Sequence, residues 1–149
     1  GWCYTPHLQK EMPDNPIDPR FKERHYTMVD TSWFECVVEG MYLAVNGGPG
    51  ATGRLASVSG LEICGKTGTA QNPHGNDHSV FICFAPKDDP KIAVAAYIEN
   101  AGFGSTWACP ISALLVEKYL NGEISKERKW LETNMMNGYL LDRVTVSRR

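Results

Sequence analysis

No run of about 18 apolar residues occurs in this chain of 149, so no membrane-spanning helix is expected. A strong charge excess is missing too. The formal net charge is -2, which argues against nucleic acid as the main partner. The five cysteines (Cys3, Cys36, Cys64, Cys83, Cys109) contain no C-x-x-C pair, which argues against a zinc ribbon. Their odd number and wide scatter argue against a disulfide framework. Cys36, Cys64 and Cys83 lie in apolar tracts, where a thiol serves as a small core residue. Internal repeats are absent. No charged-then-apolar leader follows Gly1, so the sequence reads as part of a longer chain.

What is present amounts to about one domain's worth of residues with ordinary apolar content. Residues 1–30 form an irregular segment broken by Pro6, Pro13, Pro16 and Pro19, with short edge strands at Trp2-Cys3-Tyr4-Thr5 and Arg24 to Val29. Ser32 and Glu35 read as a capping box opening a helix. Phe34, Val37, Val38, Met41 and Val45 share one face of that helix, and Asn46-Gly47-Gly48-Pro49-Gly50 ends it.

A Gly-rich loop then leads to an extended stretch from Glu62 to Gln71. Val80-Phe81-Ile82-Cys83-Phe84-Ala85 is apolar on both faces, as in a strand covered on each side. Pro86-Lys87-Asp88-Asp89-Pro90 is a turn, and Ile92 to Ile98 returns as a hairpin partner. Glu99-Asn100 closes that hairpin end. A second helix is expected over Thr106 to Leu120, with Pro110 in its first turn and Gly122 as its stop. Ile111, Leu114, Leu115 and Tyr119 or Val116 would face the sheet. Residues 123–149 read as a charged, solvated or loosely docked tail.

The chemistry is concentrated in Lys66-Thr67-Gly68-Thr69-Ala70-Gln71, which packs a cation, two hydroxyls and a glycine into one extended tract. Such a tract can hold a carboxylate and an oxyanion along a strand edge. The same region matches a phosphate-loop pattern, Gly60-Leu61-Glu62-Ile63-Cys64-Gly65-Lys66-Thr67. A phosphate loop uses small residues and opens into a helix. Leu61, Glu62, Ile63 and Cys64 are strand types, and Gly68, Pro73 and Gly75 cannot begin a helix, so the strand reading is preferred. His74, Asp77 and His78 are the one metal-like cluster, but Pro73, Gly75 and Asn76 prevent the helix that a His-x-x-x-His site needs. No metal or cofactor is expected. Trp33 and Trp107 read as core or helix-packing aromatics.

In order along the chain come Val38-Glu39-Gly40-Met41, Val45-Asn46-Gly47-Gly48-Pro49-Gly50-Ala51-Thr52-Gly53, Gly65 to Gln71, and His78-Ser79-Val80-Phe81 with Phe84-Ala85-Pro86. Ile92-Ala93-Val94 and Ile98-Glu99-Asn100 complete the series. Together these stretches resemble the C-terminal part of the transpeptidase domain of class B penicillin-binding proteins, most of all the elongation type, over roughly residues 30 to 122. The resemblance implies an α+β fold of the serine β-lactamase/D,D-transpeptidase kind, with antiparallel strands packed against helices, residues 31–122 being the portion present. It implies acyl transfer through a serine acyl-enzyme, with a D-Ala-D-Ala stem peptide as acyl donor and β-lactams as mimics. By the same resemblance Lys66, Thr67, Gly68, Thr69 and Gln71 line the site, with Lys66 and the Thr69 backbone N–H as its catalytic members. A membrane glycan polymerase is implied as partner, and the periplasmic face of the inner membrane as location, with an upstream membrane anchor.

Two motifs of that family are missing. None of Ser32, Ser57, Ser59, Ser79, Ser105, Ser112, Ser125 and Ser147 has Lys three residues on, and no Ser-x-Asn occurs. The nucleophile is therefore expected upstream, and the chain alone is expected to be inactive and to expose apolar surface. Other readings remain: a serine β-lactamase or sensor relative, a non-catalytic module docking a cell-wall partner, and, more distantly, a nucleotide binder.

Overall fold

Two extended stretches near the start pair with each other. In the computed structural model, which describes residues 1–8 and 11–140, β1 (Trp2–Tyr4) runs antiparallel to β2 (Arg24–Tyr26), with Trp2 opposite Tyr26 and Tyr4 opposite Arg24. Cross-strand neighbours account for much of this ribbon: the Arg24 guanidinium lies 4.3 Å from the Trp2 ring centroid. The ribbon belongs to the first of two compact units, residues 1–37, and the rest of the chain forms the second.

Helix α1 spans Thr31–Asn46. Its start differs from the expected capping box. The Asp30 carboxylate accepts from the Ser32 backbone N–H at 2.9 Å and from its hydroxyl at 2.8 Å, so the capping acceptor stands two residues earlier than Ser32. These bonds hold the Asp30 carboxyl below its ordinary pKa. The apolar face is filled only toward the helix end. Val45 is buried and Val38 and Met41 are half-buried, whereas Trp33, Phe34, Cys36 and Val37 are exposed. This corrects the placing of Cys36 in a core and of Trp33 as a core or helix-packing aromatic.

The second unit is built on one antiparallel sheet in the order β3-β4-β5, with β3 at Cys64–Ala70, β4 at His78–Ala85 and β5 at Ile92–Ile98. β3 starts two residues later than expected because Glu62 has φ +37°, a turn conformation rather than a strand one. Alternation on β4 buries Ser79, Phe81, Cys83 and Ala85, while Ile82 on the other face is 48% exposed. The expectation of a strand covered on both faces is therefore corrected: among the described residues one face is sealed.

Helix α2 (Ala108–Asn121) seals it, beginning two residues later than expected. Its first turn is capped from the sheet, since the Ser79 hydroxyl accepts from the Ala108 N–H at 3.1 Å and donates to the Phe103 carbonyl at 2.9 Å. Gly122 at φ +79° ends it. The face toward the sheet carries small residues, Cys109, Ser112 and Ala113, with Val116. Ile111 and Leu114 are half-buried and Leu115 and Tyr119 exposed, so the expected sheet-facing set is wrong apart from Val116. Small side chains win because they let the helix axis approach the sheet closely.

Residues 124–136 also depart from expectation. A 3-10 turn at Lys126–Arg128 leads into α3 (Lys129–Met136), and Ile124 and Leu131 are buried. Of the solvated and docked alternatives for this tail, the solvated one fails there; residues 141–149 lie outside the described part. Glu117, fully buried on α2, explains the docking. It accepts from the Ser125 N–H at 3.0 Å and from Arg128 Nε at 2.9 Å. No helix among the described residues is long and apolar enough to cross a membrane.

Candidate functional site

Strand β3 forms one edge of the three-stranded sheet, paired with β4 through Lys66 opposite Ile82, Thr67 opposite Phe81 and Gly68 opposite Val80. Alternation puts Thr67 and Thr69 on one face, with Lys66 and Gly68 on the other. Two residues of strand separate the hydroxyl-bearing positions by about 7 Å. Lys66 is exposed and curls back so that Nζ donates to the Thr67 carbonyl at 2.6 Å. Its charge therefore stays beside the strand instead of extending into solvent. Thr67 is half-buried and donates its hydroxyl to Thr52 Oγ1 at 3.2 Å, while Thr69 and Gln71 are exposed. Gln71 falls one residue beyond the end of β3.

Close approach explains the glycines on either side of this tract. A Cβ at Gly65 would lie 2.4 Å from the Phe81 ring. Gly104, in the loop before α2, lies on the backbone of β3 and β4, where a Cβ would come 2.4 Å from the Gly68 carbonyl oxygen and 2.3 Å from that of Val80. The loop after β5 thus presses directly on the strand.

The same loop is joined to the turn after β3. Asn72 Nδ2 donates to Asn100 Oδ1 at 2.8 Å, and the Gly102 N–H donates to the Asp77 carbonyl at 2.7 Å. His78 Nδ1 accepts from the Asn100 N–H at 3.0 Å, and its ring packs 5.2 Å from that of Tyr97. Asp77 Oδ1 accepts from the Asn72 N–H. His78 and Asp77 thus fasten a loop, while His74 is exposed. Asn100 sits at φ +56°, a turn conformation at the hairpin end.

A second set of contacts holds the beginning of β3. Asn46, at the end of α1, donates from Nδ2 to the Ile63 carbonyl at 2.9 Å and to the Tyr42 carbonyl at 3.2 Å. Its Oδ1 accepts from the Ser57 hydroxyl at 3.0 Å. Lys87 pairs with Glu39 at 2.6 Å and lies over the Tyr42 ring, fixing α1 to the β4–β5 turn. The ion pair with Glu39 raises the Lys87 pKa.

Sequence reasoning did not single out Asn46, Thr52, Asn72, Glu117 or Arg128. Asn46 and Thr52 carry a visible signal, because they flank the Gly-rich stretch before β3. Glu117 carries none beyond being an acidic residue at a core-facing helical position. Three thiols, Cys64, Cys83 and Cys109, are buried, the last two in the core between sheet and α2. Burial pushes Cys83 up to about 11 and Cys109 up to about 12, and raises Cys64 as well, so none of them is a nucleophile in waiting.

The family model for the penicillin binding protein transpeptidase domain matches residues 1–120. The peptidoglycan D,D-transpeptidase MrdA of Haemophilus influenzae is 31% identical over 149 aligned residues, which cover 87% of this chain and 23% of that protein. The crystal structure of Pseudomonas aeruginosa PBP2 in complex with WCK 5153 superposes with a TM-score of 0.65 at 34% identity, covering 85% of this chain and 29% of that one. The imipenem acyl-enzyme complex of penicillin-binding protein A from M. tuberculosis gives 0.54 at 28% identity, over 74% of this chain and 24% of that one. The chain thus spans about a quarter of the length of these relatives.

Proposed function

This chain belongs to the penicillin-binding-protein transpeptidase domain family, with an α+β fold of that kind, and from that premise we propose that it forms one wall of the cleft of a peptidoglycan D,D-transpeptidase. The whole protein would cross-link stem peptides through a serine acyl-enzyme. The supporting observation is that the open edge of β3 carries Thr67 and Thr69 on one face with the Lys66 charge folded against the strand.

In this reading the acyl donor lies along β3 as an added strand. Lys66 attracts its carboxylate in a cleft where Coulomb attraction exceeds that in water, and helps organise proton transfer. Thr67 and Thr69 donate their hydroxyls to the same carboxylate. Thr67 does so while staying bonded to Thr52, the hydroxyl pair reversing so that Thr52 donates. The Thr69 backbone N–H is one donor to the oxyanion, and Gly68 lets the substrate lie flat. Gln71 borders the end of the cleft. The serine nucleophile is absent from this chain, which alone forms no acyl-enzyme. The acyl donor is a D-Ala-D-Ala stem peptide, β-lactams imitate it, and the longer protein is anchored by an upstream helix on the periplasmic face of the inner membrane beside a glycan polymerase.

Intact mass measurement after benzylpenicillin treatment tests this. The full-length protein is expected to gain one adduct and the isolated chain none. Lys66→Ala in the full-length protein should slow acylation by about 100-fold with an unchanged melting temperature. A folded full-length protein that never acquires the adduct would point instead to a non-catalytic docking module.

A further inference from the structure

Arg128 lies in a different part of the sequence from β3, yet its guanidinium reaches the approach to that strand. Its three kinds of nitrogen are all used. Nε donates to Glu117 Oε2 at 2.9 Å, Nη1 to the Ser57 carbonyl at 3.1 Å and Nη2 to the Leu55 carbonyl at 3.1 Å. Glu117 is fully buried and also accepts from the Ser125 N–H. The planar fork of arginine suits three acceptors held in fixed directions, and a lysine ammonium cannot reproduce it. The two carbonyls belong to the middle residue of the 3-10 turn Arg54–Ala56 and to the residue after it. Such a turn has weak internal hydrogen bonding and relies on outside anchors.

From that segment two hydrogen-bonded routes enter β3. One runs from the Ser57 hydroxyl to Asn46 Oδ1, then from Asn46 Nδ2 to the carbonyl of Ile63, the residue before the strand. The other runs through Thr52, whose hydroxyl accepts from Thr67. The first route holds the strand's beginning and the second holds the hydroxyl next to Lys66.

We infer that Arg128, braced by Glu117, is a positioning residue for the Lys66–Thr69 strand, acting through segment 52–57. The inference rests on the reading that this strand binds the acyl donor. Arg128 itself touches none of the strand's residues in these contacts. Its role is to fix where Thr52 and Ser57 stand, and misplacement of an acyl-transfer site by about 1 Å costs rate steeply.

The test uses the full-length protein and benzylpenicillin, with the binding constant separated from the acylation rate constant. Hydrogen–deuterium exchange of residues 64–70 is followed in the same samples. Arg128→Lys keeps a cation beside Glu117 but loses the fork. It should lower the acylation rate constant roughly tenfold, speed exchange at 64–70 and melt closer to wild type than Arg128→Met does. Thr52→Val should produce a similar rate loss, and the double variant little more than either alone. Leu131→Ala loosens α3 without touching the fork, and should lower the melting temperature while leaving the acylation rate constant unchanged.

The inference is overturned if Arg128→Lys leaves both readouts at wild-type values, or if Leu131→Ala slows acylation as much as Arg128→Lys. Should the wild-type protein take no penicillin, the proposed function fails, and exchange at 64–70 decides the inference independently. Faster exchange in Arg128→Lys upholds the positioning role and unchanged exchange removes it.

Discussion

Helices α1 and α2 make a useful pair, because both read as amphipathic in the sequence and yet they are buried in opposite ways. α1 carries Trp33, Phe34, Val37 and Leu43, all of them exposed, and only Val45 is fully buried. α2 buries Cys109, Ser112, Ala113, Val116 and even Glu117, while Leu115 and Tyr119 remain outside. Hydrophobicity alone therefore does not choose the covered face. What chooses it in α2 is closeness: small residues bring the helix down onto β4 and β5, and the one acid among them has its own cationic partner.

α2 is most vulnerable at Glu117. Glu117→Ala leaves Arg128 and the Ser125 N–H without their shared acceptor, and should cost about 3 kcal/mol in a urea titration. A loss under about 1 kcal/mol would mean that the 124–136 arm is held by Ile124 and Leu131 alone. Ala113→Leu should cost about 2 kcal/mol, because a larger side chain at a fully buried helix–sheet contact forces the elements apart. On α1 the equivalent insult should be nearly silent. Leu43→Gln is expected to stay within about 0.5 kcal/mol, and a loss several times larger would show that this helix face is covered in solution.

Alkaline titration sharpens the same contrast. The thiols of Cys83 and Cys109 have pKa values raised by burial from 9.0 to about 11 and about 12, whereas an unfolded chain ionises them near the ordinary value. The unfolded state loses those protons first as pH rises, so stability should fall between about pH 9 and pH 12 and show no thiol contribution below pH 8. Melting curves across that range measure it. Iodoacetamide at pH 8 should meanwhile label exposed Cys3 and Cys36 on the folded chain and spare the other three.

These contrasts also mark what was legible in the sequence. The tract Lys66–Gln71, the β4–β5 hairpin, both main helices and the Gly122 stop follow from local pattern and turn chemistry. So do the short strands at Trp2 and Arg24, though not their pairing with each other. The errors are partly local and partly tertiary. Asp30 stands in for Ser32 as the capping acceptor through two local hydrogen bonds. Glu62 left the strand because the chain turns there. Ile111, Leu114 and Leu115 read as sheet-facing, whereas Ser112 and Ala113 occupy that face. In the site, the residue types on β3 could be read directly. The contacts of Asn46 and Arg128 could not, since a side chain that reaches a carbonyl 17 or 71 positions away leaves no periodic trace.

The cap on α2 has a consequence for the order of folding. A helix of 14 residues is marginal by itself, and its first turn needs an acceptor. Here the acceptor is the Ser79 hydroxyl, which sits on β4 and is separated from Ala108 by the whole of β5 and the loop beyond it. The helix start therefore cannot be completed until the hairpin has closed and that loop has returned over the strand. Its N-terminal turn belongs kinetically to the sheet, and nucleation at Ala108 should follow, rather than precede, the pairing of β4 with β5.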